Sequence, residues 1–131
     1  MIGKIILSVS ALVFIAYGLV SLVSPAIPAG FAGLVISNGD AFAEIGAMYG
    51  GLQTGVGLFC LLAVLRTEYY RAGLMLLAIG IGALAAGRLV SALLTDDVLS
   101  AYTWGALIYE CITVVVAAWA LRTSHQQSLA S

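Results

Sequence analysis

Three ionisable residues interrupt long stretches of sequence that are otherwise free of charge. Glu44, Arg88 and Glu110 each lie in a separate apolar run. Ionisable groups in such runs bind ligands, relay protons or pair with one another. A carboxyl group can act as an acid or a base, and a guanidinium binds oxyanions through paired N–H groups. The three residues therefore indicate either a functional site or a structural ion pair, and the sequence leaves both readings open.

The composition places the chain in a membrane. Of 131 residues, 63% are hydrophobic and 8% are charged, whereas about a quarter of the residues in a soluble domain are charged. The mean hydropathy is +1.13. Nucleic acid is excluded as a partner, because its recognition needs a basic surface and this chain has five Lys and Arg and a net charge of −1.

Four segments approach the length of about 20 apolar residues that crosses a bilayer. The predicted spans 1 to 4 are Ile5–Val23, Phe42–Leu65, Ala72–Leu94 and Ala101–Leu121. Their short connections leave no room for a second domain. We expect an all-α integral membrane protein, an up-down four-helix bundle forming a single transmembrane domain over residues 1–131.

The connection between spans 1 and 2 is the longest and is apolar. Its stretch Ala29–Ile36 is too short to cross the bilayer. It is expected to lie along the outer interface or to cap the bundle; of a lid over an opening between helices and a plain connector resting on headgroups, the connector is favoured.

Basic residues outside the apolar runs predict the orientation. Lys4, Arg66, Arg71 and Arg122 fall on one side of a protein with four spans, and positive charge favours the cytoplasmic side. Both termini are therefore expected to be cytoplasmic in a bacterial inner membrane. Span 1 is longer than the core of a signal peptide and is interpreted as an anchor. The sequence contains no basic run that would bind anionic lipid.

The depths of the three charges bring them within reach of one another. At 1.5 Å per residue, Glu44 lies roughly 6 Å, Arg88 about 10 Å and Glu110 about 15 Å from the outer ends of their helices. All three are then in the outer half of the bilayer. We expect them to face inward as an acid-base-acid cluster in which Glu110, the deepest, could hold a proton.

The helix faces favour this placement. On span 4 a small and polar stripe is expected to pack inward, and the opposite positions are expected to face lipid. The inward positions are Thr103, Ala106, Glu110, Thr113 and Ala117, and the outward ones are Leu107, Ile108, Val115 and Trp119. Spacings of the small-xxx-small type predict close packing of spans 2 and 3; the glycines are Gly46, Gly50, Gly51, Gly55 and Gly57, with Gly73, Gly80 and Gly87.

Two further polar residues of span 2 are candidates for the same site. Tyr49 and Gln53 lie close to Glu44 in the sequence. Each could line a cavity, or each could form an ordinary hydrogen bond between helices.

The residues required for metal or cofactor chemistry are scarce. The single histidine, His125, follows span 4, and the two cysteines, Cys60 and Cys111, lie in spans without a CxxC motif. A lone tail histidine and buried cysteines are typical of solvated and packed residues. No metal site and no resident cofactor are predicted.

A resemblance to a known family rests on two parts of the sequence. One is the stretch from Glu44 to Gly57, which contains Tyr49-Gly-Gly51, and the other is Gly87-Arg88 together with Glu110. Over nearly its whole length the chain resembles a bacterial four-helix inner-membrane family of unknown function. Members often carry an arginine where this chain has Gly46, so Arg88 is the only cation in the apolar runs. More loosely the chain looks like the DoxX-type proteins, some of which are linked to quinone-dependent oxidation.

Three classes of function remain open. The leading hypothesis is a binding module or accessory subunit whose Glu44, Arg88 and Glu110 receive a lipid-like or quinone-like molecule or a membrane partner. A proton-coupled transporter would exchange a proton on Glu110, and four helices would then require a homo-oligomer formed through glycine faces. A membrane-embedded enzyme would use a glutamate as acid or base.

Overall fold

The computed structural model describes the backbone of residues 1–129 and the side chains of residues 1–123. Within residues 1–129 the chain forms helices and no β-strand. The α-helices are Ile2–Val23, Ala26–Ala32, Gly39–Ile45, Gln53–Leu65, Tyr70–Leu76, Gly82–Leu93 and Ala101–Leu129. Gly46–Leu52 and Leu77–Ile81 are π-helical, and Thr67–Tyr69 is a 3₁₀ turn.

Four continuous helical stretches are long and apolar enough to cross a membrane. Spans 1 to 4 run over Ile2–Val23, Gly39–Leu65, Thr67–Leu93 and Ala101–Thr123. The predicted all-α class and the four spans are confirmed, although spans 1 to 3 begin earlier than the apolar runs. For span 2 the reason is a cap: Asn38 Oδ1 accepts a 2.9 Å hydrogen bond from the Ala41 N–H, and such caps start a helix before its apolar residues.

The connection between spans 2 and 3 is shorter than predicted. The sequence suggested a loop over Arg66 to Arg71, but Arg66 alone separates Leu65 from the turn at Thr67. Its backbone is extended, with φ −121° and ψ 113°. One extended residue followed by a 3₁₀ turn is sufficient to interrupt the helix, so the basic residues of this connection lie at helix ends.

The apolar connection between spans 1 and 2 contains a helix of its own, Ala26–Ala32. Pro28 and Ala29 are buried, whereas Phe31 is exposed. The helix stops at Gly33, whose φ of +70° is left-handed, and the Leu34 N–H donates to the Ala29 carbonyl at 2.8 Å. The segment is thus a folded part of the molecule, and its predicted position at the outer interface stays a prediction.

The structure divides into two compact units. The middle unit, Ser8–Leu62, pairs span 1 with span 2. A Cβ added to Gly50 would lie 2.6 Å from Leu22 Cγ, and one added to Gly57 would lie 2.7 Å from the backbone nitrogen of Ile15. Residue numbers rise on one helix as they fall on the other, so the two helices are antiparallel and touch through glycine.

The terminal unit consists of Met1–Leu7 and the chain from Ala63 onward. Spans 3 and 4 pack along one another, and a Cβ on Gly82 would lie 3.7 Å from Val114. At one end Gly73 lies against Ala63. That residues 1–131 fold as a single transmembrane domain stays a prediction.

Helix packing selects only some of the predicted glycines. Gly50, Gly57 and Gly73 lie at close helix contacts, and Gly18 on span 1 does the same against Thr54. The remaining predicted glycines make no close contact with a neighbouring helix. Open space surrounds the Cβ positions of Gly51, Gly55 and Gly87. A Cβ on Gly46 would have Pro25 at 3.9 Å as its only neighbour, and a Cβ on Gly80 would contact Leu76 of the same span. Small-xxx-small spacing marks positions that can pack closely, but the rotation of the helix decides which of them do.

Candidate ionic site within the membrane spans

Arg88 and Glu110 face each other across the contact between spans 3 and 4. Arg88 lies in the helix Gly82–Leu93 and Glu110 in the helix Ala101–Leu129. Gly82 packs close to Val114. Arg88 follows Gly82 by six residues, and Glu110 precedes Val114 by four residues. Because the two helices are antiparallel, these steps run in the same direction and bring the guanidinium opposite the carboxylate.

The two side chains form a bidentate ion pair. Arg88 Nη2 lies 2.8 Å from Glu110 Oε1, and Nε lies 3.0 Å from Oε2 and 3.2 Å from Oε1. Both carboxylate oxygens accept hydrogen bonds from the guanidinium, and this planar arrangement is among the strongest that proteins form. It also suits the ionised carboxylate, which accepts at both oxygens.

The two partners differ in burial. The Glu110 side chain is 5% exposed and the Arg88 side chain is 25% exposed. Burying the carboxylate removes its hydration, and the guanidinium replaces that hydration with charge and hydrogen bonds. The arginine meanwhile keeps part of its surface accessible, so the pair presents its cationic member outward.

Arg88 and Glu110 both lie several residues inside the ends of their spans. Arg88 precedes the end of span 3 at Leu93 by about 7 Å, and Glu110 follows the start of span 4 at Ala101 by about 13 Å, at 1.5 Å per residue. Both lie toward the end of the spans that carries the connection between them. These distances run along the helices, and the predicted depth of the three charges in the bilayer stays a prediction.

Three of the five positions of span 4 that were predicted to face inward are buried, and Thr103 and Ala106 are half-buried. Glu110, Thr113 and Ala117 are buried, and Thr113 Oγ1 donates to the Tyr109 carbonyl at 2.8 Å. Leu107, predicted to face lipid, is buried as well. That prediction was wrong because residues three apart share a helix face, and Leu107 precedes Glu110 by three.

The remaining predicted site residues belong to span 2 in the middle unit. Glu44 lies on the helix Gly39–Ile45 with an exposed side chain. Tyr49 lies within the π-helical segment Gly46–Leu52, Gln53 follows it, and both are half-buried. Segments of this kind often occur at functional sites. The participation of these three residues in a site with Arg88 stays a prediction.

Thr54 is a polar residue that the sequence did not single out as a site residue. Its Oγ1 is buried and has no hydrogen-bond partner among the residues that the structure describes, and it lies against Gly18. Its spacing of four from Gly50 and three from Gly57 places all three on one face. That spacing is the signal by which it could have been found.

Metal-binding residues do not converge in the described part of the chain. No group of three His, Cys, Asp or Glu there could hold a metal ion. The side chain of His125 lies outside the described residues. Cys60 is buried, as expected of a packed thiol, whereas Cys111 is exposed.

The fold and the ion pair define a class: a multi-pass all-α membrane protein with an arginine–glutamate pair within its spans. Residues 2–121 match the model of a domain of unknown function, DUF4345, and the chain belongs to that family. No significant match to a curated protein or to a solved structure was found.

Proposed function

We propose that the protein is a membrane-embedded binding module, acting alone or as an accessory subunit, that receives the polar head of a lipid-like or quinone-like molecule at Arg88. The observation that carries this proposal is the bidentate pair, in which Glu110 is buried and the arginine is partly exposed. The pair lies in spans whose outer surfaces are apolar. A ligand dissolved in the bilayer could therefore approach the arginine from the lipid.

The chemistry of the pair suits an uncharged or anionic oxygen acceptor. Glu110 accepts hydrogen bonds from the Nε–H and from Nη2 of the guanidinium. The carboxylate fixes the plane of the guanidinium, so its outer edge is oriented before a ligand arrives. A quinone carbonyl or a headgroup oxygen would accept a hydrogen bond from that edge, and its apolar tail would remain in lipid.

A purely structural pair is a less economical explanation. Apolar residues of similar size often stabilise a buried contact as well as an ion pair does, or better. Ionisable residues in membrane spans are costly, and they commonly mark sites of function. Retaining this pair is therefore more readily explained by binding than by stability.

The remaining parts of the proposal come from the sequence. Glu44, Tyr49 and Gln53 are proposed to contribute polar groups to binding, on the basis of their predicted depth. The protein is proposed to lie in a bacterial plasma membrane with both termini cytoplasmic, on the basis of Lys4, Arg66, Arg71 and Arg122.

Native mass spectrometry of protein extracted gently from its own membrane tests the proposal by recording bound small molecules. The wild type should retain a quinone or lipid that Arg88→Leu/Glu110→Leu loses while remaining folded. Cys111→Ser is the matched control, because this exposed residue adjoins Glu110 in the same helix. It should keep the ligand.

Two results would overturn ligand binding. One is retention of the same molecule by the double variant at the wild-type level. The other is a wild-type chain that carries no small molecule and instead holds a larger membrane protein through these residues, which would make it a structural subunit.

A further inference from the structure

The folded chain gathers basic residues that the sequence keeps far apart. Gly3 of span 1 lies against Tyr70 of span 3 and Ala120 of span 4 within the terminal unit. Lys4 and Arg71 directly follow the first two of these contact residues, and Arg122 is two positions beyond the third. The ends of three membrane spans that meet here thus each carry a cation.

Arg66 joins the same end of the terminal unit. Arg66 follows Ala63 by three residues, and Ala63 lies against Gly73. Gly73 in turn is about one helical turn from Tyr70 along span 3. Lys4, Arg66, Arg71 and Arg122 are all exposed. We name these four residues the basic end; they are all the Lys and Arg of the sequence except Arg88.

Little negative charge offsets the basic end. Glu68, in the 3₁₀ turn Thr67–Tyr69 at the start of span 3, is the one carboxylate near these cations in the described part of the terminal unit. Asp96 and Asp97 lie in the connection between spans 3 and 4, which is at the opposite end of those helices. The terminal unit is therefore positive at one end and negative at the other.

The side chains beside the basic end are those expected at headgroup depth. Tyr69 and Trp119 are exposed, and so are the apolar side chains of Ile5 and Leu65. Tyrosine and tryptophan concentrate where lipid tails meet headgroups. Exposed cations, exposed aromatic side chains and exposed apolar side chains thus adjoin one another at this end of the terminal unit.

We propose that the basic end binds the headgroups of anionic phospholipids in the leaflet where these helices end. Four cations near an anionic surface add their attractions, and basic groups between membrane helices bind such headgroups. Lipid is favoured over an acidic protein because the cations lie on the ends of apolar spans, beside aromatic and apolar side chains that face lipid. The inference is independent of the role of Arg88.

The test titrates the purified full chain in detergent with phosphatidylglycerol and, in parallel, with phosphatidylcholine of the same acyl chains. Native mass spectrometry measures the affinity of each, and inorganic phosphate forms a third arm. The wild type should prefer phosphatidylglycerol. Arg71→Gln/Arg122→Gln should weaken phosphatidylglycerol binding by roughly 25-fold, since each of the two basic residues contributes about fivefold near an anionic surface.

Two control variants separate charge at this end from other effects. Arg71→Lys/Arg122→Lys keeps both charges and should retain the preference for phosphatidylglycerol. Asp96→Asn/Asp97→Asn changes the net charge by two at the other end of spans 3 and 4, and it should leave the preference unchanged. Because the substituted residues are exposed, all three variants should fold; if the glutamine variant does not, Lys4→Gln replaces it.

The proposal is overturned if phosphatidylcholine binds as tightly as phosphatidylglycerol, or if the glutamine variant keeps the preference. If inorganic phosphate at millimolar concentration displaces phosphatidylglycerol completely, the basic end is a site for free anions instead. An acidic protein that co-purifies and is lost in the glutamine variant, with no lipid preference, would identify a protein partner in place of lipid.

Discussion

Arg88 and Glu110 depend on each other because each neutralises a charge that lipid cannot solvate. Removing one partner of a buried pair leaves an uncompensated charge, which costs about 3–5 kcal/mol, whereas replacing both with apolar residues is often neutral. Arg88 is partly exposed, so its own loss of hydration is smaller than that of Glu110. The expected cost of losing the arginine is therefore set by the carboxylate that it leaves behind.

Arg88→Leu should lower the free energy of unfolding by about 3 kcal/mol, because the Glu110 carboxylate then remains buried without its cation. Arg88→Leu/Glu110→Leu should recover most of that loss. Unfolding in mixed micelles, followed by circular dichroism, measures both variants together with Glu110→Leu and completes a double-mutant cycle. A double variant as unstable as the sum of the two single variants would show that the pair contributes no coupling.

At the scale of the element, glycine positions on span 2 differ in what faces them. Gly57 approaches the backbone of span 1, since an added Cβ would lie 2.7 Å from Ile15 N and 3.1 Å from the Ala11 carbonyl oxygen. Gly55, two residues earlier, faces open space. A backbone neighbour cannot rotate away as a side chain can, so the two glycines should respond differently to the same substitution.

Gly57→Ala should destabilise the protein by about 2 kcal/mol, because the new methyl group separates two packed helices. Gly55→Ala should be neutral or should stabilise by up to about 1 kcal/mol, because alanine favours helix more than glycine does. Thermal unfolding in one detergent compares the two variants with the wild type. Equal destabilisation by both would contradict the antiparallel contact between spans 1 and 2.

At the scale of the whole molecule, the charges of the terminal unit bear on orientation, because they separate into two ends. The basic end carries four cations, and the connection on the opposite side of spans 3 and 4 carries Asp96 and Asp97. Basic connections remain in the cytoplasm during insertion. The same distribution should therefore set both the orientation of the protein and the leaflet in which the basic end meets lipid.

Single cysteines in the background Cys60→Ala/Cys111→Ser test this orientation. Ser37→Cys, in the exposed connection between spans 1 and 2, should react with a membrane-impermeant maleimide in intact cells. Thr67→Cys, exposed at the start of span 3, should react only after the cells are permeabilised. The opposite pattern would reverse the predicted orientation and would move the basic end to the outer leaflet.

The sequence by itself determined the membrane class, the four spans and the three charges that interrupt the apolar runs, because hydropathy and the length of an apolar run are local properties. It also predicted that Glu110 faces inward, since the small residues around it recur at helical spacing. It did not determine that Leu107 is buried with Glu110.

Only the tertiary structure decided which groups meet. The pairing of Glu110 with Arg88, and the close contacts at Gly18 and Gly57 but not at Gly55, depend on how each helix is rotated toward its neighbour. The basic end has the same origin, because its cations are far apart in the chain. The rotation of a helix is set by the surface of the adjacent helix. The sequence pattern of one helix does not specify the surface of the helix that it packs against.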